Sequence, residues 1–231
     1  MEKHHIYFVV THPIQYFVPL YSILANQPNI KLKVLYLSED TIRTGYDKQF
    51  GIKFTWDIPL LEGYDYVFLP NRTFYKKSSG GILRYFNPSI FRYLISQPPG
   101  IVVFSGWNSL SEILGFLIVK CTKHRAAIRC DAPALKEGFK SGWKAKLRKF
   151  ILGKILFPLF IEKFIYIGKQ NYLFYKEFNI SDDKLIYSPF SVDNSRFSKE
   201  VSAIQGATLR HHLGLLEDNF VILFTGKLIG I

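Results

Sequence analysis

Arg129, Asp131 and His12 are the residues whose chemistry first calls for a position. Arg129-Cys130-Asp131-Ala132-Pro133 closes an apolar run. An arginine at the carboxyl end of a strand can clamp a phosphate or carboxylate through two parallel N–H bonds. Pairing between Arg129 and Asp131 is the competing use of the same charges. His12 stands in Thr11-His12-Pro13-Ile14-Gln15-Tyr16, the turn from an apolar run into a helical pattern. Imidazole titrates near neutrality and can donate to a phosphate or a sugar hydroxyl. The helix that follows would offer free N–H groups and partial positive charge to an anion. A histidine packed in its turn, with Gln15 solvated, is the alternative.

Ser105-Gly106-Trp107-Asn108-Ser109 follows another apolar run and points to the same edge. A helix cap from Asn108 or Ser109 explains the segment too. It is not the GxSxG elbow of a nucleophilic serine, and no GxGxxG fingerprint occurs. Residues 46–64 interleave aromatics with carboxylates, which fits a sugar contact and, more plainly, an ordered loop held by aromatic packing. Trp143, Leu147, Phe150, Ile151 and Ile155 share one helical face, and Lys144, Lys146, Arg148, Lys149 and Lys154 crowd the rest. That pattern suits either an anionic lipid surface or a core-facing stripe with a solvated back.

The elements that must position these groups alternate. Strands are expected at residues 6–10, 31–37, 66–69, 101–105, 126–130, 164–167, 184–187 and 219–225. Helices are expected at 16–27, 87–96, 109–123, 141–160, 169–178 and 207–213, with 194–205 a polar connector. Ser109-Leu110-Ser111-Glu112 reads as a capping box. Strand–helix alternation implies right-handed crossovers and a doubly wound, mainly parallel, Rossmann-like α/β sheet. Ligands of such sheets bind beyond the carboxyl strand ends, at the point where strand order reverses.

The 231 residues are 48% hydrophobic and 21% charged, which excludes disordered and collagen-like classes. A net charge of +12 favours an anionic partner. Nucleic acid is set aside, since no RNP, KH or zinc-finger signature is present. No metal site is expected, because His4-His5 and His211-His212 lack ligands at suitable spacing. Cys121 and Cys130 read as buried hydrophobes of a reducing compartment. No secretory signal or membrane span is read, so the expected location is cytoplasmic, peripheral on the inner face of the plasma membrane. A final strand with no crossover helix after it reads as the start of a truncated second domain. The expected division is 1–190, a linker at 191–218, and that start at 219–231.

Several stretches resemble bacterial family 4 (group 1) glycosyltransferases. They are His12-Pro13-Ile14-Gln15-Tyr16, Trp56-Asp57-Ile58-Pro59, Ser105-Gly106-Trp107, Arg129-Cys130-Asp131, Ile167-Gly168-Lys169-Gln170-Asn171, the linker from Tyr187 to Phe197, and Ile222 to Leu228. The resemblance implies a GT-B fold with this chain as the acceptor-side domain. It implies transfer of a sugar from a nucleotide-sugar donor to a glycan or lipid-linked acceptor in cell-surface glycan synthesis, with no cofactor and no metal. His12, Arg129 and Asp131 are then the catalytic candidates: a hydrogen-bond donor, an anion clamp, and a carboxylate orienting the clamp or a sugar hydroxyl. Gln15, Tyr16, Trp107 and Asn108 would bind substrate, and Gly226 and Lys227 would begin the donor site. Trp143, Lys144, Lys146, Arg148 and Lys149 would meet the membrane. A non-catalytic glycan- or membrane-binding module is the alternative.

Overall fold

The apolar runs pair as parallel strands. In the computed structural model they are β1 (His4–Val10), β2 (Ile30–Tyr36), β5 (Tyr66–Phe68), β6 (Ile101–Phe104), β7 (Arg125–Arg129), β8 (Lys163–Tyr166) and β9 (Leu185–Tyr187). The structure describes residues 3–40, 42, 45–47, 52–54, 56, 58–73, 81–134, 142–194, 199–216 and 218–222. The strands lie in the order β5-β2-β1-β6-β7-β8-β9, and every pairing is parallel. A separate antiparallel pair joins β3 (Gly45–Asp47) and β4 (Ile52–Phe54). The chain adds strands outward from β1 on one side and then restarts at β6 on the other. Strand order therefore reverses between β1 and β6, the switch point of a doubly wound sheet.

Alternation along the strands divides the core between two faces. Tyr7 and Val9 of β1 and Leu35 of β2 pack in one cluster, with residues of α2 (Ser89–Ser96), α3 (Leu110–Cys121) and α6 (Lys169–Lys176). Val10, Val34 and Tyr36 pack in the other, with Val18 and Tyr21 of α1 (Val18–Ala25). One close approach needs glycine: a Cβ on Gly115 of α3 would sit 2.5 Å from Phe104 of β6. Buried Asn87 ties the sheet's upper edge together. Its Nδ2 donates to the carbonyls of Leu37 (3.0 Å) and Leu69 (2.6 Å), and its Oδ1 accepts from Ser111 Oγ at 2.8 Å.

The expected long helix at 141–160 is not one α-helix. Its described part is α4 (Trp143–Phe150), a π-helical segment Ile151–Leu156, and α5 (Phe157–Phe160). Pro158 cannot donate to the carbonyl four residues back and would clash with it, and the wider turns just before it relieve that conflict. Leu152, Leu156 and Phe157 reach the core, whereas Trp143, Leu147, Phe150, Ile151 and Ile155 stay exposed. The core-facing alternative for that stripe is thus not what forms. Cys121, expected to be buried, is exposed at the last position of α3, and Cys130 is half-buried.

Residues Met1–Ser191 form one compact unit and Val192–Ile231 a second. The second holds α7 (Lys199–His212), which begins well before the helix expected at 207. Glu200, Ala203, Gln205 and Ala207 are good helix formers, so the described part of the polar connector from Lys199 on is helical. Gly214, at φ 67°, ends it in the left-handed conformation that glycine adopts freely. The strand expected at 219–225 is absent from its described part, residues 219–222. Asn219 is held in a turn instead: its Oδ1 accepts from Leu216 N at 2.9 Å and its carbonyl from Arg210 Nη2 at 2.7 Å. Residues 223–225 lie outside the described residues.

Candidate functional site

Four neighbouring strands, β1, β6, β7 and β8, end at a single cavity of about 350 Å³. It lies within the first compact unit. Thr11 follows β1, Ser105 follows β6, Arg129 ends β7 and Ile167 follows β8, and all four line it. The sequence's strand ends thus converge where the fold's switch point predicts a ligand.

Arg129 is a buried cation in the cavity's lining. The residue is only 9% exposed. Its Cζ lies 4.9 Å from the ring centre of Phe17 and 5.2 Å from that of Phe190. Two long bonds run from Nη2 to the carbonyls of Ser188 (3.4 Å) and Pro189 (3.3 Å), and the buried Nε has no hydrogen-bond partner. Among the described residues no carboxylate forms an ion pair with it. Asp131 lines the same cavity but is exposed and makes no salt bridge to Arg129, so the Arg129–Asp131 pairing does not occur. Burial pulls the guanidinium's pKa down, yet a guanidinium stays charged at any physiological pH. A buried cation without a counter-ion costs free energy, and the cavity beside it is where an anion would offset that cost.

The same cavity is lined by a carboxylate that sequence reasoning treated only as a cap. Glu112 is 3% exposed and lines the cavity. Its Oε2 accepts from Ser109 N (3.0 Å) and Ser109 Oγ (2.9 Å), while Ser109 Oγ accepts from Glu112 N, completing the capping box. Burial raises its pKa, and bonds from Ser109 and the Asn108 backbone N–H oppose that rise. Its Oε1 faces Gly106, where an added Cβ would stand 3.2 Å away.

The remaining candidates divide. Tyr16 and Asn108 are exposed and line the cavity, Tyr16 meeting Phe190 edge-on at 5.3 Å. Gln15 is half-buried and does not line it. His12 is half-buried outside the lining, its Nδ1 3.0 Å from Thr11 Oγ1. Burial lowers its pKa, Asp40 partly opposes this and Arg84 adds to it, so the imidazole is neutral at pH 7 rather than poised to carry charge. Trp107, expected toward the cleft, is instead in the core, stacked on Phe174 at 5.8 Å and edge-on to Phe157 at 5.6 Å. The tight turn at Ser105-Gly106 swings it onto the α3 and α6 side of the sheet. Gly226 and Lys227, and also Asp57, lie outside the described residues. Phe17, Phe190 and Arg84 line the cavity without having been singled out. The only sequence signal for Phe190 was its place in the stretch after β9.

On α4, Trp143 is 70% exposed and Phe150 57%. Lys144 and Lys146 are exposed, Lys144 Nζ lying 5.8 Å from the Trp143 ring. Lys149 pairs with Glu177 at 3.4 Å, and Arg148 lies 5.9 Å over the inner Trp107.

No family model matches the chain, and no curated protein matches it in sequence. Its likeness is to solved structures. The crystal structure of Anabaena HepE in complex with UDP and glucose superposes with a TM-score of 0.57 at 13% identity, over 91% of this chain and 50% of that one. The fold is shared. UDP-N-acetylglucosamine 2-epimerase aligns at a TM-score of 0.48 and 16% identity, over 80% of this chain and 47% of that one. The chain thus spans about half the length of the solved structures it matches. Among the described residues, no group of three or more His, Cys, Asp or Glu side chains is placed to hold a metal ion. No described helix is long and apolar enough to cross a membrane.

Proposed function

We propose that this chain provides the acceptor-side part of a glycosyltransferase that moves a sugar from a nucleotide-sugar onto a glycan or lipid-linked acceptor. The observation that carries the reading is the buried, unpaired Arg129 in a cavity at the switch point of a Rossmann-like sheet. In the reaction an acceptor hydroxyl oxygen bonds to the donor's anomeric carbon. The bond from that carbon to the diphosphate oxygen breaks, the hydroxyl proton departs, and a nucleoside diphosphate leaves. A fixed cation facing the phosphate stabilises the charge that develops there, because it needs no reorganisation at the moment of bond breaking. Exposed Asp131 and Asn108 are free to bond sugar hydroxyls, and Tyr16 offers an aromatic wall.

The exposed stripe of α4 fits an anionic membrane surface, which would place lipid-linked acceptors near the cavity. Its apolar side chains find no core, and Lys144 and Lys146 flank them. A basic amphipathic helix with an interfacial Trp binds lipid through both terms at once.

HepE was solved with UDP and glucose, so UDP-glucose is the first donor to test. The purified chain is incubated with UDP-glucose and vesicles carrying a prenyl-phosphate-linked sugar, and UDP release is followed. Acceptor-dependent release that is lost in R129M supports the reading. Binding of donor or acceptor with no release under any donor supports the non-catalytic module instead.

A further inference from the structure

We infer that the cavity takes a glycosyl phosphate, with Arg129 on the phosphate and the Glu112 carboxylate on a hydroxyl of the attached sugar. The inference rests on the proposed function and deepens it by naming the ligand class of the same site. Its first support is the polarity of the walls. Arg129 and Arg84 would both suit a bare phosphate, but the amino end of α3 is already filled by its own carboxylate through the Ser109 bonds. That end repels an anion and accepts from hydroxyls. One wall thus asks for negative charge and the other for O–H donors. A sugar joined to a phosphate carries both, about one ring apart.

The second support is Gly106. No left-handed backbone angle requires glycine there, yet a Cβ would stand 3.2 Å from Glu112 Oε1. Both bonds from Ser109 go to Oε2. Glycine leaves space beside Oε1 on the Gly106 side, which a cap alone does not need. Buried Arg129, whose Nε has no hydrogen-bond partner, is an independent observation that the same cavity is built for an anionic group. At about 350 Å³ the space lies at the small end of ligand pockets, enough for a single sugar ring and its phosphate.

The test is calorimetric binding of α-glucose 1-phosphate and of inorganic phosphate to the full chain and to E112Q. Gln serves as well as Glu at this capping position, and thermal melting of E112Q checks that the fold persists. The expected result is that α-glucose 1-phosphate binds the native chain at least tenfold tighter than phosphate. E112Q should lose about that factor for the sugar phosphate, since a bond to a charged acceptor is at stake, and bind phosphate unchanged or more tightly. If E112Q destabilises the chain, N108A, on the exposed lip of the same wall, supplies the second comparison, with the same selective loss expected. Equal affinity for both probes, or an equal loss of both in E112Q, overturns the inference. UDP-glucose and a prenyl glucosyl phosphate in neutral phosphatidylcholine vesicles, run as separate arms, tell a soluble source from a lipid-borne one. A chain that binds the sugar phosphate through Glu112 but never transfers sugar upholds this inference and refutes the transferase. Transfer that is indifferent to E112Q does the reverse.

Discussion

The guanidinium carbon of Arg129 lies 4.9 Å above the ring of Phe17. That contact gives the buried cation an aromatic face where proteins usually supply a carboxylate. Cation–π attraction is worth about 0.5–2 kcal/mol, less than a well-made buried ion pair with its full set of bonds. The site is therefore built for binding at some expense of stability.

The first prediction follows from that imbalance. R129M should abolish binding of anionic ligands while keeping or raising the melting temperature, by up to about 4 °C, as removing an uncompensated charge relieves about 1 kcal/mol. Calorimetry with UDP-glucose and a thermal melt read the two effects. A large loss of stability would mean that Arg129 is a structural strut.

The second concerns His12, whose pKa burial lowers. The unfolded chain takes up this proton near pH 6.5, the folded chain only at lower pH. Between those values the unfolded state binds more protons. The stability linked to His12 is therefore complete above pH 6.5 and is lost as pH falls through the folded value. Titration of the imidazole carbons by NMR should place His12 below the ordinary histidine range. A value at or above it would contradict the assigned burial.

Glu112 has the opposite sign. Its pKa is raised, chiefly by burial, so the folded chain holds this proton where the unfolded chain, near pH 4.3, has released it. Its linked stability is greatest below the unfolded value and declines as pH rises through the folded one. E112Q should flatten that decline in chemical denaturation series. E112A, which breaks the capping box, should cost about 1 kcal/mol below the unfolded value and less as pH rises.

Much of the architecture was legible, because each strand is a short apolar run bounded by turn residues and each crossover carries a helical period. The capping box at Ser109 was legible for the same reason: its geometry is local. Glu112's second role was not, since a pattern fully explained by capping hides what else the carboxylate faces. Trp107 misled because a residue after a strand end can turn either to the cleft or to the core, and only the packing of Phe157 and Phe174 decides. The aromatic bracket on Arg129 joins Phe17 and Phe190, far apart in the chain, and no periodicity relates them. The π-helical turns were invisible because the apolar spacing around Gly153 suits an α-helix as well.

Asn87 gives a prediction for stability alone. N87A leaves the carbonyls of Leu37 and Leu69 without their side-chain donor and the Ser111 O–H without its acceptor in a buried place, although Ser111 Oγ still accepts from residue 87 N. At about 1–3 kcal/mol for each unsatisfied group, with partial relaxation, a loss of about 3 kcal/mol is expected in urea denaturation. A loss under about 1 kcal/mol would show that water replaces the side chain.

For α4 the expected outcome is sedimentation with vesicles containing phosphatidylglycerol and not with pure phosphatidylcholine. A blue shift of tryptophan emission should accompany binding, since exposed Trp143 would enter the interface. The double variant W143A/F150A should weaken binding at least tenfold, as two exposed aromatic side chains leave the interface, without lowering the melting temperature. Equal binding to both lipids would sink the electrostatic half of that picture.

The most direct test of the central claim is the NMR signal of the Arg129 Nε–H, assigned by its absence in R129K. Titrating UDP-glucose and α-glucose 1-phosphate into the native chain should move that signal saturably, with the downfield shift of a proton newly bonded to an oxyanion. A signal that stays in place while either ligand is bound elsewhere on the chain would contradict the account.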